Sequence, residues 1–201
     1  MNTIISLVPF VMAYNNYVFN IGFNKCGTSS LATALNQAGI KTLHHQFTLK
    51  QNGRQQKLRL VDFWRSNVKN NLRPFQGLDQ AIYGFSDFYG EACFRELDKA
   101  YPGSKFILTI RPLDDWLSSR VRHVEGNLKN PHYRGGFLTI DIESWTRSYT
   151  NHVETTHEYF LHRKEDFLLL DIPSGEGWEK LCGFLSIPIP TSTFPWSNKS
   201  E

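Results

Sequence analysis

The chain is poor in cysteine, and the few it has form no reactive pattern. Among its 201 residues only Cys26, Cys93 and Cys182 are cysteines. They are odd in number, far apart and without a CxxC pair, so neither a disulfide framework nor a zinc site is suggested. A reducing, cytoplasmic compartment fits that usage. There is also no stripe of clustered Lys and Arg, and the formal net charge is only +3, so nucleic acid is not an expected partner, although a local anion site stays open. No apolar run is long enough to span a bilayer. Residues Thr3 to Ala13 are mostly apolar, but no Lys or Arg precedes them and Pro9 interrupts them, so we read a packing segment or early strand rather than a signal peptide. Repeats and low-complexity tracts are absent.

What remains is an ordinary globular composition, 40% hydrophobic and 20% charged, in a length that suits one domain with a real core. We expect a single domain over 1–201, with 1–15 as a flexible or packing segment and 124–142 as a substrate loop. Strand and helix patterns alternate. Tyr17–Ile21, Ile40–His44, Gln80–Tyr83, Lys105–Ile110 and Phe167–Ile172 read as strands. Helices read from a cap at Thr28 or Ser29 to Ala38, then over Ala92–Tyr101, Asp114–His123, Ser144–His162 and around Trp178–Leu185. The polar stretch 46–76 gives no clear pattern, and Glu125 to Gly136 reads as a loop. Strands separated by helices imply an α/β fold, a mainly parallel sheet covered on both faces. Ligands of such sheets sit beyond the carboxyl ends of the strands, which directs attention to the turns after Ile21, Leu43, Ile110 and Ile172.

The first of those turns reads Gly22-Phe23-Asn24-Lys25-Cys26-Gly27-Thr28-Ser29-Ser30-Leu31. A tight loop entering a helix aims free backbone N–H groups and the positive dipole end at an anion. Gly27 allows close approach, Lys25 supplies a full charge, and Thr28 and Ser29 supply hydroxyl donors. In a Walker A loop the Lys directly precedes the Ser or Thr; here it stands three residues before Thr28, which is not the nucleoside-triphosphate form. A second anion site is suggested where the strand ending at Ile110 runs into Arg111, with Ser119 eight residues on. The Arg fork suits phosphate oxygens.

Lys25-Cys26-Gly27-Thr28-Ser29-Ser30-Leu31 resembles the 5′-phosphosulfate loop of sulfotransferases, KxGTxxL. Arg111 and Ser119, with Asp115 and Trp116 between them, resemble the 3′-phosphate motif of one branch of that family, RDPxxWxxS, although the usual Asp between Arg and Pro is missing. Asp171-Ile172, Gly177 to Cys182, Phe184-Leu185, Pro188, Pro190, Phe194-Pro195 and Asn198 resemble the tail of the same branch. The resemblance implies the P-loop-like sulfotransferase fold with a five-stranded parallel sheet. It implies 3′-phosphoadenosine 5′-phosphosulfate (PAPS) as co-substrate, no metal, and a small-molecule or glycan hydroxyl as acceptor. Lys25, Cys26, Gly27, Thr28, Ser29, Arg111 and Ser119 would then bind PAPS, with Lys25 also neutralising the leaving oxygen.

The reaction also needs a base. His44 and His45 stand at the rim shared with the loop, and neutral imidazole suits the task. Adjacent strand residues point to opposite faces, so one of the two is expected to serve, with Asp87 as a further option. His123 is placed to touch substrate. His152, His157 and His162 read as a solvated face. Trp178 reads as a core residue more than an adenine neighbour. Two rivals stand beside the transferase reading: a nucleotide-dependent kinase or ATPase with Asp171 ending a Walker B-like strand, and a catalytically silent nucleotide-binding module.

Overall fold

The computed structural model describes residues 16–51 and 54–196; the N-terminal segment read over 1–15 and the tail residue Asn198 lie outside them. Among the described residues the elements are, in order, β1 Val18–Asn20, α1 Thr28–Gln37, β2 Thr42–His44, β3 Gln46–Gln51, β4 Arg54–Arg59 and α2 Leu60–Lys69. Then follow β5 Gly84–Ser86, a 3-10 turn Gly90–Ala92, α3 Phe94–Ala100, β6 Lys105–Thr109, α4 Leu113–Lys129, α5 Ile142–Tyr159, β7 Phe167–Leu170 and α6 Trp178–Leu185. The sheet order is β4-β3-β2-β5-β1-β6-β7. Its five strands from β2 to β7 run parallel, as expected, and the hairpin β3–β4 adds an antiparallel edge beyond β2. No helix among the described residues is long and apolar enough to cross a membrane.

Alternation along the central strands builds two cores. Phe19, Phe106 and Leu108 face one side of the sheet, where they pack with Phe75, Phe85, Phe88 and Phe160. Val18, Ile107 and Leu170 face the other side, under Leu31, Ala34 and Leu35 of α1 and Leu181 and Leu185 of α6. Aromatic rings fill the first core: Phe75 stacks on Phe85 with centroids 3.9 Å apart, and Phe160 on Phe167 at 5.1 Å. Trp178 belongs to the second core, its indole N–H donating to the Ser192 carbonyl at 2.7 Å.

Four local expectations shift. The third parallel strand is Gly84–Ser86 rather than Gln80–Tyr83. A glycine opens it because a Cβ there would lie 2.0 Å from Thr42 Oγ1 on the neighbouring strand. The stretch 46–76 forms β3, β4 and α2; Phe47 of β3 is buried, with Leu49 and Leu58 packed against the same core, while β4 is otherwise exposed and carries Gln, Lys and Arg. The fourth helix continues through Glu125 to Lys129, with Val124 fully buried and Asn127 donating to the Phe137 carbonyl, so only 130–141 of the stretch 124–142 lies outside helices. His152 is 5% exposed and is no part of a solvated face, while His157 and His162 are exposed.

Candidate active site

β1, β5 and β6 end together beneath the loop that enters α1, and one buried asparagine joins them. Asn20 donates from Nδ2 to Ser86 Oγ (2.9 Å), and its Oδ1 accepts from the Gly22 N–H (3.0 Å) and from Thr109 Oγ1 (3.1 Å). Ser86 Oγ passes the chain on to the Thr28 carbonyl at 3.1 Å. Every polar atom named in that network has a partner, which is what a buried polar cluster requires to be stable and singular. The signal in the sequence is a lone Asn inside the apolar run Tyr17–Ile21, and sequence reasoning passed over it together with Ser86 and Thr109.

The loop itself is tightly wound. Lys25 and Gly27 have φ of 69° and 85°, left-handed conformations that glycine accepts freely and lysine does not. Gly27 is also the N-cap of α1, where Thr28 or Ser29 was expected. No side chain caps the helix, so its first-turn amides stay available to an anion. Cys26 is completely buried and burial pushes its thiol up, the profile of a packing residue rather than a reactive one. The Lys25 ammonium is half-buried; burial pulls its pKa down, Asp87 opposes that, and the nearby charges of Arg111 and Arg122 reinforce it. Asp87 is thus the nearest-acting opposite charge, and Arg111 and Arg122 add positive potential around the loop.

Arg111 follows β6. Its backbone is clamped by Tyr149: the Arg111 N–H donates to the Tyr149 hydroxyl (3.1 Å), which donates to the Arg111 carbonyl (2.7 Å). The Nε of Arg111 is buried with no hydrogen-bond partner among the described residues, so a donor stands ready for an oxygen that the protein does not provide. Ser119 lies two turns into α4, half-buried. Asp171 spends its carboxylate on its own turn, accepting from the Ser174 N–H (3.1 Å) and Oγ (2.8 Å), which leaves it little of the Walker B role.

The histidine that ends β2 and the one after it reach the same carboxylate. His44 Nε2 lies 3.7 Å and His45 Nδ1 3.6 Å from Asp87 Oδ2. They do not point to opposite faces, because the strand ends between them: His45 has φ of 58°, and the chain reverses into β3 with His44 opposite Gln46. Their surroundings differ. His44 Nε2 is 3.2 Å from Thr28 Oγ1 and 3.3 Å from Ser29 Oγ, so it faces the loop, and its side chain is 29% exposed against 45% for His45. Burial pulls the His44 pKa down, Asp87 partly restores it and His45 lowers it further, a balance that favours the neutral ring.

Across the site α4 presents Arg120 and His123. Arg120 Nη1 donates to Asn24 Oδ1 at 2.8 Å, and the Trp116 indole donates to the Asn24 carbonyl at 2.9 Å. His123 packs on Phe137 with ring centroids 5.2 Å apart, and its Nδ1 is buried without a partner among the described residues; burial, Lys25 and Arg120 lower its pKa. Glu91, on the 3-10 turn, is pushed up to about 7 by burial, with Asp87 adding to the shift. Sequence reasoning named His123 and missed Arg120, Glu91, Asn24 and Tyr149.

A family model described as a sulfotransferase domain matches residues 17–139 and 132–201. The chain is also similar to Ava biosynthesis cluster protein M of Aspergillus versicolor, with 30% identity over 208 residues that cover 89% of this chain and 79% of that protein.

Proposed function

The chain belongs to the sulfotransferase domain family, and from that premise we propose that it transfers a sulfonate group from PAPS to an acceptor hydroxyl with His44 as general base. The observation that carries this reading is the meeting of His44 with the loop: its imidazole Nε2 lies 3.2 and 3.3 Å from the hydroxyls of Thr28 and Ser29, beside a Lys25 whose charge feels Arg111 and Arg122. Two anion sites at the ends of adjacent parallel strands fit a nucleotide phosphorylated at both its 5′ and 3′ positions. The uncapped start of α1 with Lys25, Cys26, Gly27, Thr28 and Ser29 would hold the 5′ phosphosulfate. Arg111, with its unpartnered Nε, and Ser119 would hold the 3′ phosphate.

PAPS supplies the sulfonate. His44 Nε2 takes the proton of the acceptor hydroxyl as the new S–O bond forms. Lys25 neutralises the phosphate oxygen as the old S–O bond breaks. Asp87 steadies the imidazolium that results, 3.7 Å away. Positioning and charge stabilisation supply the catalysis, as in other in-line group transfers. The acceptor is a small-molecule or glycan hydroxyl. The three buried free cysteines support a reducing, cytoplasmic setting.

The experiment is calorimetric binding of 3′,5′-bisphosphoadenosine, AMP and ATP, followed by transfer from radiolabelled PAPS to a panel of small hydroxyl compounds. The bisphosphate should bind far more tightly than AMP, and Arg111→Ala should erase most of that margin, a loss of about 1.5–3 kcal/mol. Equal affinities for the bisphosphate and AMP would sink the two-site reading, and binding without transfer to any acceptor would favour a catalytically silent module.

A further inference from the structure

Arg120 sits in a cage contributed by three parts of the chain. Its guanidinium carbon is 4.8 Å from the ring centre of Trp116 on α4, 4.5 Å from that of Trp145 on α5, and 4.7 Å from that of Phe137 in the segment between those helices. Among the described residues it forms no salt bridge, and its Nε has no hydrogen-bond partner. Ring faces and the neutral amide of Asn24 therefore make the direct contacts of this charge, with the Glu91 carboxyl acting on it only at longer range.

Asn24 is the residue before Lys25, and α4 grips it twice, at the side chain through Arg120 and at the backbone through Trp116. Phe137 closes the other side of the cage. It stacks on Trp145 at 5.7 Å and on His123 at 5.2 Å, and its carbonyl accepts from Asn127 Nδ2 at 3.0 Å. The residues after it are exposed, including Leu138 and Ile140. A continuous path of contacts thus runs from segment 130–141 through Phe137, Arg120 and Asn24 to Lys25.

We propose that Arg120 is a positioning residue that couples segment 130–141 to the anion-binding loop, so that the seating of Phe137 against its guanidinium sets how tightly the loop holds the donor nucleotide. The coupling rests on the reading of that loop as the PAPS site. A carboxylate partner would fix Arg120 whatever the segment did. A ring face makes the fixation conditional on Phe137.

The test is a double-mutant cycle read by calorimetric binding of 3′,5′-bisphosphoadenosine to the full chain, which needs no acceptor. Phe137→Leu fills much of the space without a π face and should weaken binding roughly three- to tenfold. Phe137→Tyr keeps the face and should bind like the wild type. In an Asn24→Ala background, Phe137→Leu should have no further effect, because the path is already cut. Wild-type binding by Phe137→Leu, or a full second loss in the double variant, overturns the coupling. Failure of the unaltered chain to bind the bisphosphate overturns the donor reading itself, and the coupling with it.

Discussion

His44 and His45 share a carboxylate, yet only His44 Nε2 stands over the hydroxyls of Thr28 and Ser29. Under the proposed reaction, His44→Ala should lower single-turnover transfer by roughly 10²–10⁴-fold, the usual worth of a positioned base, with a far smaller change in bisphosphate affinity. His45→Ala should cost much less, since its ring is the more exposed of the pair. A larger loss in His45→Ala than in His44→Ala would move the base to the second histidine. At this scale the sequence was informative because charge and spacing are local properties. Lys25, Gly27 and Arg111 suggest anion sites from residue type and spacing alone, without any knowledge of packing. What it withheld depends on distant neighbours: Asn24 matters only because Arg120, 96 positions away, reaches it, and His152 is buried because its Nε2 meets the Ile21 carbonyl at 2.8 Å.

Among the elements, the legible ones are those whose burial is complete. The strands at Val18–Asn20 and Lys105–Thr109 are apolar runs covered on both faces, so composition alone marks them. β3 and β4 give a weak pattern because only Phe47, Leu49 and Leu58 of the hairpin meet the core, and β5 because it is three residues long and begins with glycine. That glycine gives a sharp test of the pairing between β2 and β5. Gly84→Ala places a Cβ 2.0 Å from Thr42 Oγ1, an overpacking that should destabilise the fold by about 1–3 kcal/mol in urea unfolding. Thr42→Ala in the same chain should return part of the loss. An unchanged midpoint in Gly84→Ala would mean that the two strands separate more easily than their register implies.

For the whole molecule, buried titratable groups pull stability in opposite directions with pH. Glu91 ionises near 4.5 when unfolded and at about 7 when folded, so between those values the native chain holds a proton that the unfolded chain has released, and stability falls as pH rises across that window. Burial lowers the pKa of His44, His123 and His152 below 6.5. Their contribution is complete above 6.5 and is lost as pH falls through their folded values. Glu91→Gln removes only the first effect, so its gain in unfolding free energy over the wild type should grow from about pH 5 to about pH 7.5. A gain that stays constant would mean the native carboxyl is already ionised at pH 5. The same region holds Lys25, His45, Asp87 and Tyr89 with φ between 55° and 69°, and each such residue costs about 1–3 kcal/mol. A population selected for heat tolerance alone would relieve that cost by admitting glycine at those positions. Lineages would then drift toward chains that keep the fold while, under the proposed function, Lys25's hold on the donor and Asp87's support of the base are both lost, so a silent member of this family would be found by looking for glycines where this chain has a lysine, a histidine, an aspartate and a tyrosine.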